Sequence, residues 1–186
     1  MKLNPTLFAL LAALAAPAAQ AVEFRAVLPK QSSITFEFRQ MGVPMKGGFK
    51  RFTTQILFDP AKPESASAQI EIDLASIDAG SPEADDESAG KLWFNRSAYP
   101  KATFVSSQVR ALGNNRYEMR GTLTLKGRSR EMVVPVNYMP GKNAATFDGG
   151  FILKRLDFGI GEGMWADVAT VANEVRVNFR IAATGK

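Results

Sequence analysis

Five acids crowd one stretch of the chain: Asp73, Asp78, Asp85, Asp86 and Glu87. Glycoside cleavage needs two carboxyl groups about 5 to 10 Å apart, one of them with a raised pKa. A carboxylate-dependent glycosidase on a sheet scaffold, using two of these acids, is therefore one reading. The other is structural. Ser81-Pro82-Glu83 offers an N-cap, a proline at the first helical position and acid in the first turn, so capping accounts for the cluster. A second acidic group, Asp157, Glu162 and Asp167, sits among Gly159, Gly161 and Gly163. Oxygen ligands of this kind can hold calcium, but the spacing matches no calcium loop. The favoured alternative is that the glycines set positive backbone angles while Asp157 bonds nearby amides. Trp165 in the same loop either covers one end of the fold or packs into its core.

The 186 residues contain neither histidine nor cysteine. A Ser-His-Asp or Cys-His nucleophile pair cannot be built, and an ordinary zinc or haem site lacks its imidazole or thiolate. The expectation is a protein that is not an enzyme and carries no metal or cofactor. Formal net charge is +5. Its basic residues are scattered (Lys50-Arg51, Arg128, Arg130, Lys154-Arg155, Arg176, Arg180) with no dense run among exposed aromatics, which argues against nucleic-acid binding. Solubility explains the charge; attraction to anionic lipid surfaces or acidic partners is the alternative.

Residues 1–21 have the order of a secretory signal peptide. Lys2 precedes the apolar run Leu7 to Leu14, and small residues end it at Ala19-Gln20-Ala21. The run is shorter than the roughly 20 apolar residues a bilayer span needs, and Pro5 and Pro17 bracket it. Cleavage after Ala21 would start the mature chain at Val22, in the periplasm, as one domain over residues 22–186. With no cysteine after the cleavage point, a thioether-linked lipid anchor is excluded, and the fold must hold by burial without disulfides.

From Ser33 onward the dominant period is two. Apolar residues alternate with polar ones in eight runs, around Ile34–Phe38, Phe52–Phe58, Ile70–Leu74, Phe104–Val109, Tyr117–Leu125, Met132–Val136, Phe147–Leu153 and Val175–Ile181. Gly113-Asn114-Asn115, Lys126-Gly127-Arg128 and Pro140-Gly141-Lys142-Asn143 mark tight turns, so the pairing should be antiparallel. One short helix, roughly Pro82 to Lys91, interrupts between the third and fourth runs. Eight strands with one apolar face each allow a sandwich or a closed barrel; periodicity does not choose.

Three segments together resemble the YceI-like family of exported lipid-binding proteins. They are Ser33 to Val43 with Gly48-Phe49-Lys50-Arg51-Phe52; Ala98-Tyr99-Pro100-Lys101-Ala102-Thr103-Phe104 with Gly121 to Gly127; and Arg155-Leu156-Asp157-Phe158-Gly159-Ile160-Gly161. The resemblance implies an all-β, antiparallel, lipocalin-like eight-stranded barrel. Its interior would hold a long isoprenoid chain, either a polyprenyl lipid or the tail of an isoprenoid quinone. Relatives with the Asp-Phe-Gly-Ile-Gly-Glu-Gly form often accompany membrane b-type cytochromes. That implies as alternatives a transient contact with a membrane surface, or docking on such a cytochrome at its quinone site. Monomer and homodimer both stay open. Gln40 stands where many members carry histidine, and Ala84 where arginine often precedes Asp85, so head-group contacts at those positions do not carry over.

The chain has 13 phenylalanines against 3 tyrosines and 2 tryptophans. Packed small barrels prefer branched aliphatics, whereas a tube lined by aromatics and methionine can enclose a flexible chain. Burying one five-carbon isoprene unit should gain about 3 to 4 kcal/mol. On the inward faces, the expected pocket comprises Phe36, Phe38, Phe52, Ile56, Phe58, Ile72, Phe94, Phe104, Met119, Leu123, Val134, Phe151, Leu153, Phe158, Trp165, Val177 and Phe179. Arg39 and Met41 are expected at its mouth, Arg39 either meeting a head group or lying on the wet face. The leader reading has a direct check: N-terminal sequencing or intact mass of the exported protein should give a chain starting at Val22. An intact Met1 on exported material would refute it.

Overall fold

All eight alternating runs form strands: β2 (Ser33–Gln40), β4 (Phe52–Leu57), β5 (Ser67–Asp73), β7 (Lys101–Gly113), β8 (Arg116–Leu125), β9 (Arg128–Met139), β10 (Ala145–Lys154) and β11 (Glu174–Gly185). The computed structural model describes residues 23–142 and 144–185, so the expected leader lies outside the described residues. Among the described residues three further strands raise eight to eleven: β1 (Phe24–Val27), β3 (Val43–Phe49) and β6 (Ile77–Asp78). Strands β1 and β6 are too short to show a period. In β3, Pro44, Gly47 and Gly48 interrupt the alternation. Proline is tolerated because β3 lies near the sheet edge, covered only at Gly48 and Phe49 by β6.

Strand β3 pairs with β2 along its whole length. The turn between them is Met41-Gly42, with φ of 48° and 79°, as a two-residue hairpin of this hand requires. The turns at Asn114-Asn115 and Lys126-Gly127 are built the same way, all four residues having positive φ. The helix, α1 (Pro82–Ala89), has Ser81 Oγ accepting from the Ala84 amide at 3.3 Å. It ends two residues before the expected Lys91 because Gly90 turns to an extended ψ of 166°.

The sheet order is β4-β5-β7-β8-β9-β10-β11-β2-β3-β6, with every pair antiparallel and β1 added along β11. It curls into a lipocalin-like half-barrel. At one end Phe24 of β1 closes against Phe58 through two backbone bonds of 2.8 and 3.2 Å. Elsewhere β3 and β4 do not pair, so the expected lipocalin-like antiparallel barrel carries a seam between them. The cause is local. The amides of Lys50 and Arg51, which join β3 to β4, donate to the carbonyl and hydroxyl of buried Ser76, each at 2.9 Å, and so turn away from a neighbouring strand.

Two packed clusters occupy opposite ends of the curl. The first is aromatic: Phe58 meets Tyr117 and Phe147 edge-on at 5.2 and 5.0 Å, with Phe24, Tyr138, Val134, Val136 and Ile181 around them. The second joins Leu74, Ala102, Leu125, Leu153, Phe158 and Ile160. Between them, three glycines shape the wall. A Cβ on Gly47, Gly121 or Gly149 would run into the ring of Phe36, Phe104 or Phe179 on the adjoining strand. Each ring therefore lies over neighbouring backbone instead of reaching across the interior, a pairing known to rescue glycines in sheets. Gly149→Ala would drive its methyl into both Phe179 and the Pro135 carbonyl. It should cost about 1–3 kcal/mol in urea unfolding; unchanged stability would show that the ring is free to move.

Candidate functional site

The inward residues between the two clusters are apolar yet only half buried. Phe52, Ile56, Phe104, Met119, Met132, Phe151 and Phe179 pack against the first cluster; Phe49, Ile72, Trp93, Phe94, Leu123, Val175 and Val177 pack against the second, and Phe151 touches both. Phe36 continues the wall, with ring centroids 5.5 Å from Phe49 and 6.2 Å from Phe38. Inward side chains that still meet solvent-sized space define a hollow, because a filled interior would bury them outright. The arrangement can enclose an apolar chain.

Of the residues expected to line a pocket, Phe36, Phe38, Phe52, Ile56, Ile72, Phe94, Phe104, Met119, Leu123, Phe151, Val177 and Phe179 fall in this half-buried band. Phe58 and Val134 lie instead in the first packed cluster, Leu153 and Phe158 in the second. Arg39 is exposed, and its Nη1 donates to the Gly42 carbonyl at 2.9 Å, bracing the hairpin tip. Met41, on that tip, is 72% exposed. Trp165 packs against Trp93 with ring centroids 5.5 Å apart and planes tilted by 57°, outside both clusters, and donates Nε1 to Glu87 at 2.8 Å. Sequence reasoning missed Phe49, Met45, Ile70, Met132 and Trp93; parity with named neighbours on the same strand was an available signal for Ile70 and Met132 alone.

A cleft of about 1040 Å³ runs along the seam and takes in Phe49 and Phe52. Its charged rim is paired throughout: Lys50 with Asp78 at 2.9 Å, Arg51 with Asp73 at 2.8 Å, Lys101 with Glu71 at 2.7 Å. Lys46 reaches Glu37 at 3.6 Å. These pairs are exposed and individually worth little, but they leave the rim close to neutral. The seam cleft and the half-buried band are thus different spaces that meet at Phe49 and Phe52.

Four of the five acids of the glycosidase reading are committed elsewhere. Asp73 caps a turn through the Ala75 amide and holds Arg51; the amide bond and then the guanidinium keep its carboxyl below the usual range. Lys50, with help from the Gly80 amide, does the same to Asp78. Asp85 accepts from the Ala79 amide at 2.6 Å, and Glu87 holds Trp165. Lowered carboxyls at Asp73 and Asp78 are the reverse of what a general acid needs.

In the glycine-punctuated loop, Gly159, Gly161 and Gly163 all have positive φ, at 67°, 75° and 62°. Asp157 does not bond amides through its carboxyl; Asp167 does, at Ala169 N (2.9 Å). It stands at the start of a turn, where its oxygen reaches an amide two residues on. Glu162 takes Lys126 at 2.9 Å and Arg128 at 3.0 Å, the lysine bond chiefly holding its pKa down. No cluster of three metal-ligating side chains occurs among the described residues.

The loop is organised by Arg155, only 1% exposed. Its guanidinium donates to five carbonyls: Ile160 (2.8 Å), Gly161 (2.9 Å), Trp165 (2.7 Å), Val171 (2.6 Å) and Ala172 (3.0 Å). Burial lowers its pKa, yet a guanidinium keeps its charge in proteins. Trp93 lies 5.8 Å from the guanidinium carbon, within cation–π range.

A lipocalin-like half-barrel with an apolar hollow is the class of protein these features define. The YceI-like domain matches residues 26–183, and the chain belongs to the YceI-like family. It is 31% identical over 153 residues to a UPF0312 protein of Azotobacter vinelandii, covering 77% of this chain and 80% of that protein. A UPF0312 protein of Vibrio cholerae is 31% identical over 136 residues, 69% and 72% of the two chains. Among solved structures, Burkholderia cenocepacia BcnA shares 43% identity with a TM-score of 0.83, over 85% of this chain and 99% of its own. A polyisoprenoid-binding domain from Saccharophagus degradans superposes with a TM-score of 0.65 over 89% and 99%; at 16% identity that likeness is one of fold.

Arg155→Met would leave five carbonyls facing an apolar side chain. It should cost about 3–5 kcal/mol in chemical denaturation; a loss below about 1 kcal/mol would show that the loop holds without the guanidinium.

Proposed function

We propose that the chain is a non-enzymatic carrier or store for a long, uncharged isoprenoid lipid in the bacterial periplasm. The observation that carries this is the band of half-buried, inward-facing apolar side chains between two solidly packed ends. Such a hollow is costly unless something fills it, since its lining forgoes dispersion contacts. A flexible branched hydrocarbon suits walls of phenylalanine and methionine, and several isoprene units offset the entropy of ordering the tail. The Saccharophagus degradans domain with the same fold is described as polyisoprenoid-binding. Paired charges along the seam favour a neutral head, such as a quinone or an alcohol, over a diphosphate. The leader expected at residues 1–21 supports the periplasmic assignment.

A second, compatible reading is contact with a membrane surface or with a membrane b-type cytochrome at its quinone site. It is favoured by exposed apolar side chains at one end of the fold. Met41 (72%) and Val43 (57%) lie on the hairpin tip, whose Met41 amide bonds Thr170 at 2.9 Å, and Val168 (55%) lies two residues before that contact. Export of the full chain, followed by solvent extraction and mass spectrometry of the purified protein, tests the carrier reading. A stoichiometric prenyl species is expected; a protein that purifies empty and takes up no added prenyl lipid would defeat it.

A further inference from the structure

We propose that Arg130 holds the head group of the bound lipid, donating to an acceptor oxygen where the hollow opens between β9 and β10. The proposal rests on the lipid-carrier reading and places one end of its ligand.

With both ends of the curl packed, the ways into the hollow are lateral. The seam between β3 and β4 is one. A second lies across the barrel from it. Strands β9 and β10 pair over residues 136–139 and 146–149 and then part. Residues 128–135 stay in register with β8, and residues 150–154 with β11, but the two runs do not pair with each other. Pro135 supplies the cause. Its carbonyl lies against Gly149, so its nitrogen also faces β10 and has no N–H to give there. Met132 and Phe151, one on each side of this gap, both belong to the half-buried inner wall.

Arg130 stands at the edge of the gap. The alternation of β9 puts it on the inward face with Met132, Val134 and Val136, and its register partner is Leu123 of the apolar wall. Despite that parity it is exposed. The inner face is therefore open to solvent at this height, and a ligand can reach the guanidinium. Its donors are poorly used. It bonds the Ser129 and Asp157 carbonyls, each at 3.4 Å, longer than an ordinary N–H···O bond. It belongs to no ion pair among the described residues, whereas Arg128 beside it is held by Glu162. A guanidinium offers five N–H groups in a fixed fork, so most of these are free for a ligand. The cations lining the seam, by contrast, are already engaged by carboxylates. A prenyl lipid with an oxygen at one end matches the gap: carbons against Met132 and Phe151, oxygen at the fork.

The test uses the full exported protein, stripped of lipid and titrated by calorimetry. The probes share a geranylgeranyl tail and end in benzoquinone, phosphate or hydrogen. Arg130→Met should weaken quinone binding about threefold to tenfold and leave hydrocarbon binding unchanged. Arg130→Lys, which keeps a donor at the same place, should recover part of the loss. Arg51→Met, on the seam, should leave the ratio of quinone to hydrocarbon affinity at its wild-type value; a fall there instead would move the head group to the seam and overturn the proposal. So would an unchanged ratio in Arg130→Met, and either result would leave the carrier reading intact. Wild type binding the phosphate more tightly than the quinone, with the loss still seen in Arg130→Met, would keep Arg130 as the anchor and overturn the neutral head. Failure of wild type to bind any of the probes would remove both readings.

Discussion

A single buried cation holds one end of this molecule in shape. Among the described residues Arg155 has no carboxylate partner; five backbone carbonyls from residues 160–172 converge on its guanidinium instead. Carbonyls that would otherwise be orphaned in a coil with three left-handed glycines are thereby satisfied. Because the donor geometry is a rigid planar fork, it fixes directions as well as distances. The indole of Trp93 lies near the guanidinium, Trp165 packs on Trp93, and Glu87 of α1 accepts from Trp165. Helix, loop and second core cluster are thus tied through one side chain, and that closure bounds the hollow.

The hollow itself follows from how period-two strands meet in a curled antiparallel sheet. Each strand sends alternate side chains inward, and a small barrel is ordinarily filled by interdigitating aliphatics. Here Phe36, Phe104 and Phe179 lie over Gly47, Gly121 and Gly149 on neighbouring strands. Phenylalanine bulk is spent along the wall, so the middle is not filled even though the inward faces are almost wholly apolar. Stability then rests on the two ends, where the rings of Phe24, Phe58, Tyr117, Tyr138 and Phe147 are close-packed and where Arg155 organises the loop. A ligand that binds only the folded form adds to this through mass action.

Strand identity was legible in the sequence because a half-buried strand writes its period directly. The eight alternating runs and their turns at Asn114-Asn115 and Lys126-Gly127 are all present. Strand β3 was not legible, since Pro44, Gly47 and Gly48 erase its alternation; its pairing comes from the Met41-Gly42 turn. Nor was the seam, which depends on Ser76 claiming two amides far from it in sequence. Alternation says which face a side chain takes and nothing about its height along the barrel. That is why Phe58, Val134 and Leu153 share the inward face of the pocket residues yet belong to packed ends, whereas Phe158 lies off the strands, in the turn Arg155–Phe158. Arg155 resembled any surface base, because bonds from a side chain to distant carbonyls leave no pattern in residue types.

Charge placement adds a last constraint on what the hollow can admit. The chain is basic, at +5, yet many of its cations face acids across neighbouring strands, as Lys101 faces Glu71, Arg180 faces Asp148 and Arg110 faces Glu118. Cross-strand pairing of this kind spreads charge evenly over the outer face. The seam, where outer cleft and inner wall meet at Phe49 and Phe52, therefore presents alternating signs and no basic focus. A diphosphate entering there would have to displace carboxylates already bonded to lysine and arginine, at a desolvation cost with little Coulomb return. The neutral prenyl tail proposed as ligand would meet no such barrier, and the burial of its carbons would supply the driving force.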